Sequence, residues 1–376
     1  MESPPAGTRE LTLFLCGDVM TGRGIDQILP HPGGAQLFES YMRSARGYVA
    51  LAERASGRIA RPADFAYVWG DALAEFEHRR PDARIVNLET AVTAADAPWP
   101  GKGIHYRMHP DNAPCLGAAG IDCCVLANNH VLDWGREGLV QTLDTLRRAG
   151  IRSAGAGRDA IEAAAPAVLG VPGKGRVLVF AFGMASSGVP PDWAAGPGLP
   201  GVNFLPDLSA HSLQAIAARV RAVKRPGDLA VASIHWGGNW GFAIPPAQRR
   251  FARGLTDTAG VDVVHGHSSH HVKGIEVHRG RLILYGCGDF LNDYEGIGGY
   301  EAYRDDLALM YFPTLDLDSG RLRRMTLVPT RTRRFRIGRA PEDGVAWLLE
   351  TLNREGRPLG TQLVRQPDGN LALRWG

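Results

Sequence analysis

Apolar runs in this sequence repeatedly stop at a residue able to bind a metal or carry a proton. The run 11–16 leads to Gly17-Asp18, 83–86 to Asn87-Leu88-Glu89, 121–126 to Asn128-Asn129-His130 and 229–234 to His235. Two more follow: 261–264 leads into His265-Gly266-His267-Ser268-Ser269-His270-His271, and 281–285 into Gly286-Cys287-Gly288-Asp289. Short β-branched runs bounded by Gly and Asn have the pattern of strands buried on both faces, and in open α/β sheets the ligand crevice lies beyond the carboxyl ends of such strands. The pattern predicts one site assembled from six separated pieces of chain.

Helical patterns lie between the runs. Residues 138–150 show apolar spacing of three and four, late basic residues and Gly150 as a stop, and 161–167 and 213–224 read as further crossover helices. This alternation is the βαβ signature of a layered α/β fold. Residues 31–80 break it with an insertion; 40–58 reads as a helix rich in Arg and Tyr, either a lid over the crevice or a packed insertion. Two stretches rich in Pro, Gly and Trp, 96–114 and 189–206, read as ordered surface loops. Beyond Asp289, antiparallel strands are expected over 307–318, 321–328 and 330–337, a helix over 341–353, and a hairpin turn at Pro367-Asp368-Gly369. The expected organisation is a main α/β domain over 1–340 and a small α+β extension, helix and hairpin, over 341–376.

Composition narrows the class. A chain of 376 residues, 44% hydrophobic and 22% charged, can bury a large core. Its net charge of +3 gives no argument for a nucleic-acid partner. No run approaches the ~18 apolar residues of a membrane span. The opening Met1-Glu2-Ser3-Pro4-Pro5-Ala6 lacks the basic start and apolar core of a signal peptide, so a cytoplasmic protein is expected. Cys16, Cys115, Cys123, Cys124 and Cys287 form no Cys-x-x-Cys pair and are expected to be buried thiols.

Taken in order, Gly17-Asp18-Val19-Met20, Asn87-Leu88-Glu89, Leu126-Ala127-Asn128-Asn129-His130 with Asp133 and Gly135, His235-Trp236-Gly237, and Gly266-His267-Ser268-Ser269-His270 with Gly274-Ile275-Glu276 resemble the CapA family. That family is named for poly-γ-glutamate capsule synthesis and is related to the calcineurin-like metallophosphoesterases. The resemblance extends over about residues 10–340 and implies a calcineurin-like α/β fold: a two-sheet β-sandwich flanked by helices, with the site at the strand ends. It also implies roles. Asp18 matches the first metal carboxylate, Glu89 stands where the phosphoesterases place a bridging Asp, and Asn129 matches an amide-oxygen ligand with His130 beside it as an acid. His235, His267 and His270 match the later imidazole ligands. Three positions depart from the pattern: Met20 replaces an imidazole, Asn87-Leu88-Glu89 replaces Gly-Asp, and Ser268-Ser269 separates His267 from His270. One metal ion is therefore expected rather than a tight pair.

The donor types are chemically coherent. Asp18, Glu89 and the Asn129 amide are hard oxygen donors suited to Ca, Mg or Mn, with His235 and His267 completing the set and no organic cofactor expected. Imidazoles not spent on metal can titrate near neutrality. Asp133, three residues after His130, can orient that ring; Asp289 either orients His270 or His267 or caps a turn. Arg107 either clamps a substrate carboxylate or forms a structural salt bridge. Trp236 and Trp240 either line a substrate pocket or pack in the core. His265 and His271 either join the site or act as spacers, and the basic run 331–336 reads as an exposed edge strand.

Three functions compete. The leading expectation is metal-dependent acid–base chemistry on a peptide, best read as cofactor-independent epimerisation of an α-carbon, since proteins similar to this family act as epimerases in ribosomal, lasso-type peptide pathways. Inversion needs a base on one face, an acid on the other and a cation to stabilise enolate charge. The alternatives are poly-γ-glutamate or capsule synthesis, with a glutamyl polymer as substrate, and metal-dependent hydrolysis of a phosphoester, which the loss of an imidazole at Met20 weakens.

Overall fold

The structure, a computed structural model, describes residues 9–376; the 1–6 motif lies outside the described residues. The apolar runs form strands of two sheets. The larger runs in the order Thr361–Arg365, Leu371–Trp375, Leu322–Arg333, Leu307–Asp316, Glu10–Val19, Ala83–Leu88, Cys123–Val125 and Arg152–Ala154. The short strand Asp289–Leu291 lies parallel to the end of Glu10–Val19. The second sheet runs Ile275–His278, Arg281–Leu284, Val263–His267, Leu229–His235, Gly175–Gly183 and Ala167–Val171. In each sheet the site-bearing strands are parallel neighbours, so their carboxyl ends share one edge.

Strand alternation builds the layers. Leu11, Leu13, Leu15, Ile85 and Val125 of the large sheet meet Val179, Val231 and Val263 of the second. Their alternates Phe14, Cys16, Val86 and Cys124 pack instead with Leu139, Leu143 and Leu146 of helix Gly135–Arg148. On the far face of the second sheet, Phe180, Ala232, Ile234 and Val264 meet helices Ala210–Val223 and Pro246–Thr258 through Ile216, Val220, Phe251 and Leu255. The result is the helix-flanked two-sheet sandwich expected. All five cysteines are buried and free. Among the described residues, no helix is long and apolar enough to cross a membrane.

Several elements differ from expectation. The helix expected over 161–167 is only Ala160–Ala164, because Pro166 removes an amide donor and the chain turns into the strand Ala167–Val171. Gly175–Gly183, between the His235 strand and the edge strand Ala167–Val171 of the second sheet, ends at Gly183-Met184 and so lacks the polar stop that marks the other strands. The strands expected at 321–328 and 330–337 are a single strand Leu322–Arg333 that reverses at Arg334-Phe335, both at φ 55°, into Arg336–Arg339. Phe335 is fully buried and pins this hairpin, while Arg333, Arg334 and Arg336 are exposed and Arg336–Arg339 pairs as a strand only with Leu322–Arg333, so the basic run is a solvated edge with one buried aromatic anchor. The insertion carries helices Arg46–Ser56 and Ala72–Arg79. At the C-terminus, helix Glu342–Gly356 places Val345, Leu348 and Leu352 in the core between the sheets, and the hairpin around 367–369 extends the large sheet by pairing Leu371 and Ala372 with Leu327 and Thr326.

Candidate active site

Strand register brings the expected residues together. Asp18 has Asp289 as its partner on one side and Asn87 on the other, while His235 and His267 are partners in the second sheet. The Asn87 amide donates to Asp18 Oδ1 at 2.8 Å and to Glu89 Oε2 at 3.1 Å, and is itself held by a 3.0 Å bond from Asn128. Asn129 Oδ1 lies 2.9 Å from His235 Nε2, and the Nδ1 atoms of His235 and His267 face each other at 2.7 Å. Glu89 Oε1 is 3.9 Å from Nε2 of both His130 and His235, and His267 Nδ1 is 3.9 Å from Asp18 Oδ1. Six pieces of chain thus converge on one buried cluster.

The donors fit a divalent cation. Two groups of ligand atoms converge, Asp18 with His235 and His267, and Asp18 with His270 and Asp289. The expectation of a single ion therefore meets two donor sets that share one carboxylate. Asp18 Oδ2 is buried without a hydrogen-bond partner. Burial, with the charge of Asp289 nearby, pushes Asp18 up to about 7, and burial beside Asp18 raises Glu89 well above the carboxylate range. Burial holds His235 and His267 well below the usual imidazole value, leaving lone pairs available. Carboxylates that resist ionising for lack of counter-charge, next to neutral imidazoles, are what a bound cation would relieve. Met20, in place of an imidazole, is buried and receives the Tyr294 hydroxyl at 3.6 Å from Sδ.

Two His–Asp pairs flank the cluster. His130 Nδ1–H donates to Asp133 Oδ2 at 2.7 Å, and the same oxygen accepts the Tyr106 amide at 2.6 Å. His270 Nδ1–H donates to Asp289 Oδ1 at 2.8 Å, while the Asn292 amide donates to Asp289 Oδ2 at 2.9 Å. Sequence reasoning missed Asn292 and Lys102. The Lys102 ammonium binds Asp133 Oδ1 and the Asn129 carbonyl and lies 3.1 Å from His130 Nδ1. A signal existed: Lys102 is one of four lysines in a chain that otherwise uses Arg, and it sits in Gly101-Lys102-Gly103.

The other candidates, His265 excepted, fall outside this cluster or at its rim. Arg107 is spent on the Ala95 carbonyl at 2.6 Å, Asp96 at 2.8 Å and the face of Trp134, leaving the structural salt bridge of its two readings. Trp236 is buried in the outer core and donates to the Tyr285 carbonyl at 3.1 Å, so it packs rather than lines a cleft. Trp240 stacks on Tyr300 at 3.9 Å and approaches His270 at 5.5 Å, at the mouth of the site. Of the two remaining histidines, His265 hydrogen-bonds inside the cluster, and His271 lies within 4.8 Å of the Phe242 and Tyr303 rings.

Comparison with known proteins identifies the family. The family described as bacterial capsule synthesis protein PGA_cap matches residues 12–294. The chain belongs to this family. A probable polyglutamine synthesis accessory protein of Mycobacterium tuberculosis strain H37Rv is 49% identical over 364 residues, 96% of each chain. The capsule biosynthesis protein CapA of Bacillus anthracis is 25% identical over 302 residues, covering 80% of this PGA_cap chain and 64% of that protein. A solved structure described as a novel phosphatase from Mycoplasma pneumoniae overlaps 86% of this chain and 94% of its own, with 11% identity and a TM-score of 0.47.

Proposed function

We propose that this PGA_cap member is a metal-dependent hydrolase acting on amide bonds of a glutamyl polymer, in the service of polyglutamate-type synthesis. The reading rests on one observation: a carboxylate–imidazole donor cluster flanked by His130 and His270, each oriented through Nδ1 by a carboxylate. The names of the relatives favour a glutamyl polymer over the lasso-type peptide expected from the sequence. A divalent ion held by Asp18, His235 and His267, with Glu89 and Asn129 at hand, would polarise a carbonyl and acidify water. His130, with Nδ1–H committed to Asp133, takes the proton of the attacking water at Nε2. His270, whose protonated form Asp289 favours, gives the proton from Nε2 to the departing amine as the carbon–nitrogen bond breaks. The test is incubation of poly-γ-glutamate, poly-α-glutamate and polyglutamine peptides with Mn-loaded protein, following chain length and free amine. Shortening that His130→Ala abolishes is expected; intact chains with every polymer overturn the reading.

Epimerisation of an α-carbon is the second reading, favoured by the same two pairs, because a two-base inversion needs two independently oriented imidazoles. In deuterated water it predicts one deuteron entering a single α-carbon without chain cleavage, whereas hydrolysis predicts cleavage without α-exchange.

A further inference from the structure

Behind the metal-facing imidazoles lie two buried polar side chains, His265 and Ser233, to which the proposed reaction gives no role. His265 Nε2 is 2.7 Å from the Cys16 carbonyl; His265 Nδ1 is 3.0 Å from Ser233 Oγ; Ser233 Oγ is 2.9 Å from His267 Nε2. All three side chains are essentially inaccessible to solvent. Register sets the spacing: Ser233 and His265 are partners on neighbouring parallel strands, as are His235 and His267 two residues on. The first contact bridges the two sheets, since Cys16 lies in Glu10–Val19.

The polarity of this chain follows from its first member. A carbonyl oxygen can only accept, so His265 carries its proton on Nε2. His265 is enclosed with no carboxylate among its contacts, so it is neutral and its Nδ1 is a bare acceptor. The Ser233 hydroxyl must therefore donate to His265 Nδ1, which leaves its oxygen lone pairs for His267. His267 then donates from Nε2, and its Nδ1 is the bare nitrogen, the atom that faces His235 Nδ1 at 2.7 Å and Asp18 Oδ1 at 3.9 Å.

We infer that His265 and Ser233 are positioning residues that fix the tautomer of His267, so that its Nδ1 lone pair is presented to a divalent cation beside Asp18. Without the relay the Ser233 hydroxyl or the His267 ring is free to reverse, and the proton on Nδ1 then faces the cation. The relay also explains why a histidine and a serine stand in the otherwise apolar centres of two buried strands, where either costs stability unless satisfied. The inference rests on the reading of His267 as a metal ligand.

The test uses full-length protein with histidine labelled by nitrogen-15 and metal removed by chelation. Long-range proton–nitrogen correlation spectra report which ring nitrogen of His267 carries the proton, and calorimetric titration reports Mn affinity. Wild type should show His267 protonated on Nε2. Ser233→Ala removes the hydroxyl, and His265→Phe keeps the ring volume while freeing that hydroxyl to donate to His267. In either variant that folds, the single tautomer should be lost and Mn affinity should fall about 10- to 100-fold, as for other groups that orient a metal-bound histidine. Wild type with the proton on Nδ1, or a folded variant that keeps both the tautomer and the affinity, overturns the inference. Wild type that binds no Mn overturns the metal reading and this inference with it, whereas wild type that binds Mn with His267 protonated on Nδ1 overturns this inference alone.

Discussion

The His130–Asp133 and His270–Asp289 pairs use the same bond, imidazole Nδ1–H to carboxylate, at 2.7 and 2.8 Å. Their proton affinities are shifted in opposite directions. Burial holds His130 down to about 4, with Asp133 opposing and the Lys102 ammonium adding to the effect. Burial also acts against the charged form of His270, yet Asp289, supported by Asp18 and Asp305, raises it above its ordinary value. Asp133 accordingly sits low despite burial, because His130 and Lys102 both face it. Burial and an orienting carboxylate act on both imidazoles; what differs is the further charge, Lys102 beside His130 and Asp18 with Asp305 beside His270. A cation behind one pair and carboxylates around the other separate a proton acceptor from a proton donor, the arrangement acid–base chemistry at one pH requires.

The largest expected effect comes from removing what both sides of the site share. Asp18 belongs to both donor sets, so Asp18→Asn should lower metal affinity by ~100-fold or more, beyond the loss seen on disturbing a group that merely orients a ligand. Elemental analysis showing unchanged metal stoichiometry would remove Asp18 from the centre. Next in size, His130→Ala and His270→Ala should each slow turnover by ~10²- to 10⁴-fold. They should also fail differently, His130→Ala abolishing the acid limb of the kcat/KM profile and His270→Ala the alkaline limb. Loss of the same limb in both would erase the distinction between the pairs.

Much of this is legible in the sequence because strands that end in a ligand crevice announce themselves by an apolar run with a polar stop. Asp18, Glu89, His130, His235 and His267 each stand at such a stop, and the sheets bring them together. Gly175–Gly183 is invisible by the same rule, since its role is to hold the His235 strand and not to supply a side chain. Lys102 and Asn292 escape sequence reasoning because their function is set by approach across a loop, with no local period to reveal it. Ser233 is hidden for the opposite reason: it lies within the apolar run of a strand, where a small polar residue reads as tolerated. Trp236 and Arg107 show the converse limit, as sequence proximity to a site says nothing about which way a side chain turns.

Lys102 is the residue that sharpens the comparison most directly. Lys102→Met removes the cation beside His130 and should raise that imidazole's pKa toward that of His270. Because His130 acts as an acceptor in its neutral form, the acid limb of kcat/KM should move to higher pH, and activity on that limb should fall by up to ~10-fold for every pH unit it moves. An acid limb that stays in place would mean that burial alone sets His130.

The two pairs should also leave opposite marks on stability in the metal-free protein. For His130 the folded value, about 4, lies below the unfolded ~6.5. The unfolded chain then binds more protons across that window, and stability is present above it and lost as pH falls. For His270 the folded value is raised, so its contribution is present below the unfolded value and lost as pH rises through the folded one. Thermal melts should show that His130→Gln flattens the acid side of the stability profile and His270→Gln the alkaline side. Identical profiles for the two variants would contradict the assignment.

The smallest expected effect lies at Asp305, the last of the charges that raise His270. Asp305 is half-buried near a cavity of about 130 Å³ that it lines with Asn292, Tyr294 and Glu295, and burial with the charges of Asp289 and Asp306 pushes its own carboxyl up to about 6. Near neutrality it is therefore mostly ionised and still contributes negative charge to the His270 side. Asp305→Asn keeps the volume and removes that charge, and should lower the His270 pKa by less than ~1, since Asp289 remains in contact and is the dominant partner. Nuclear magnetic resonance titration of the metal-free protein reads the change directly. His130, on the Lys102 side, should not move. A fall in both imidazoles would show that the two pairs feel one common field, and a rise in His270 would show that Asp305 acts through hydrogen bonding and not through charge.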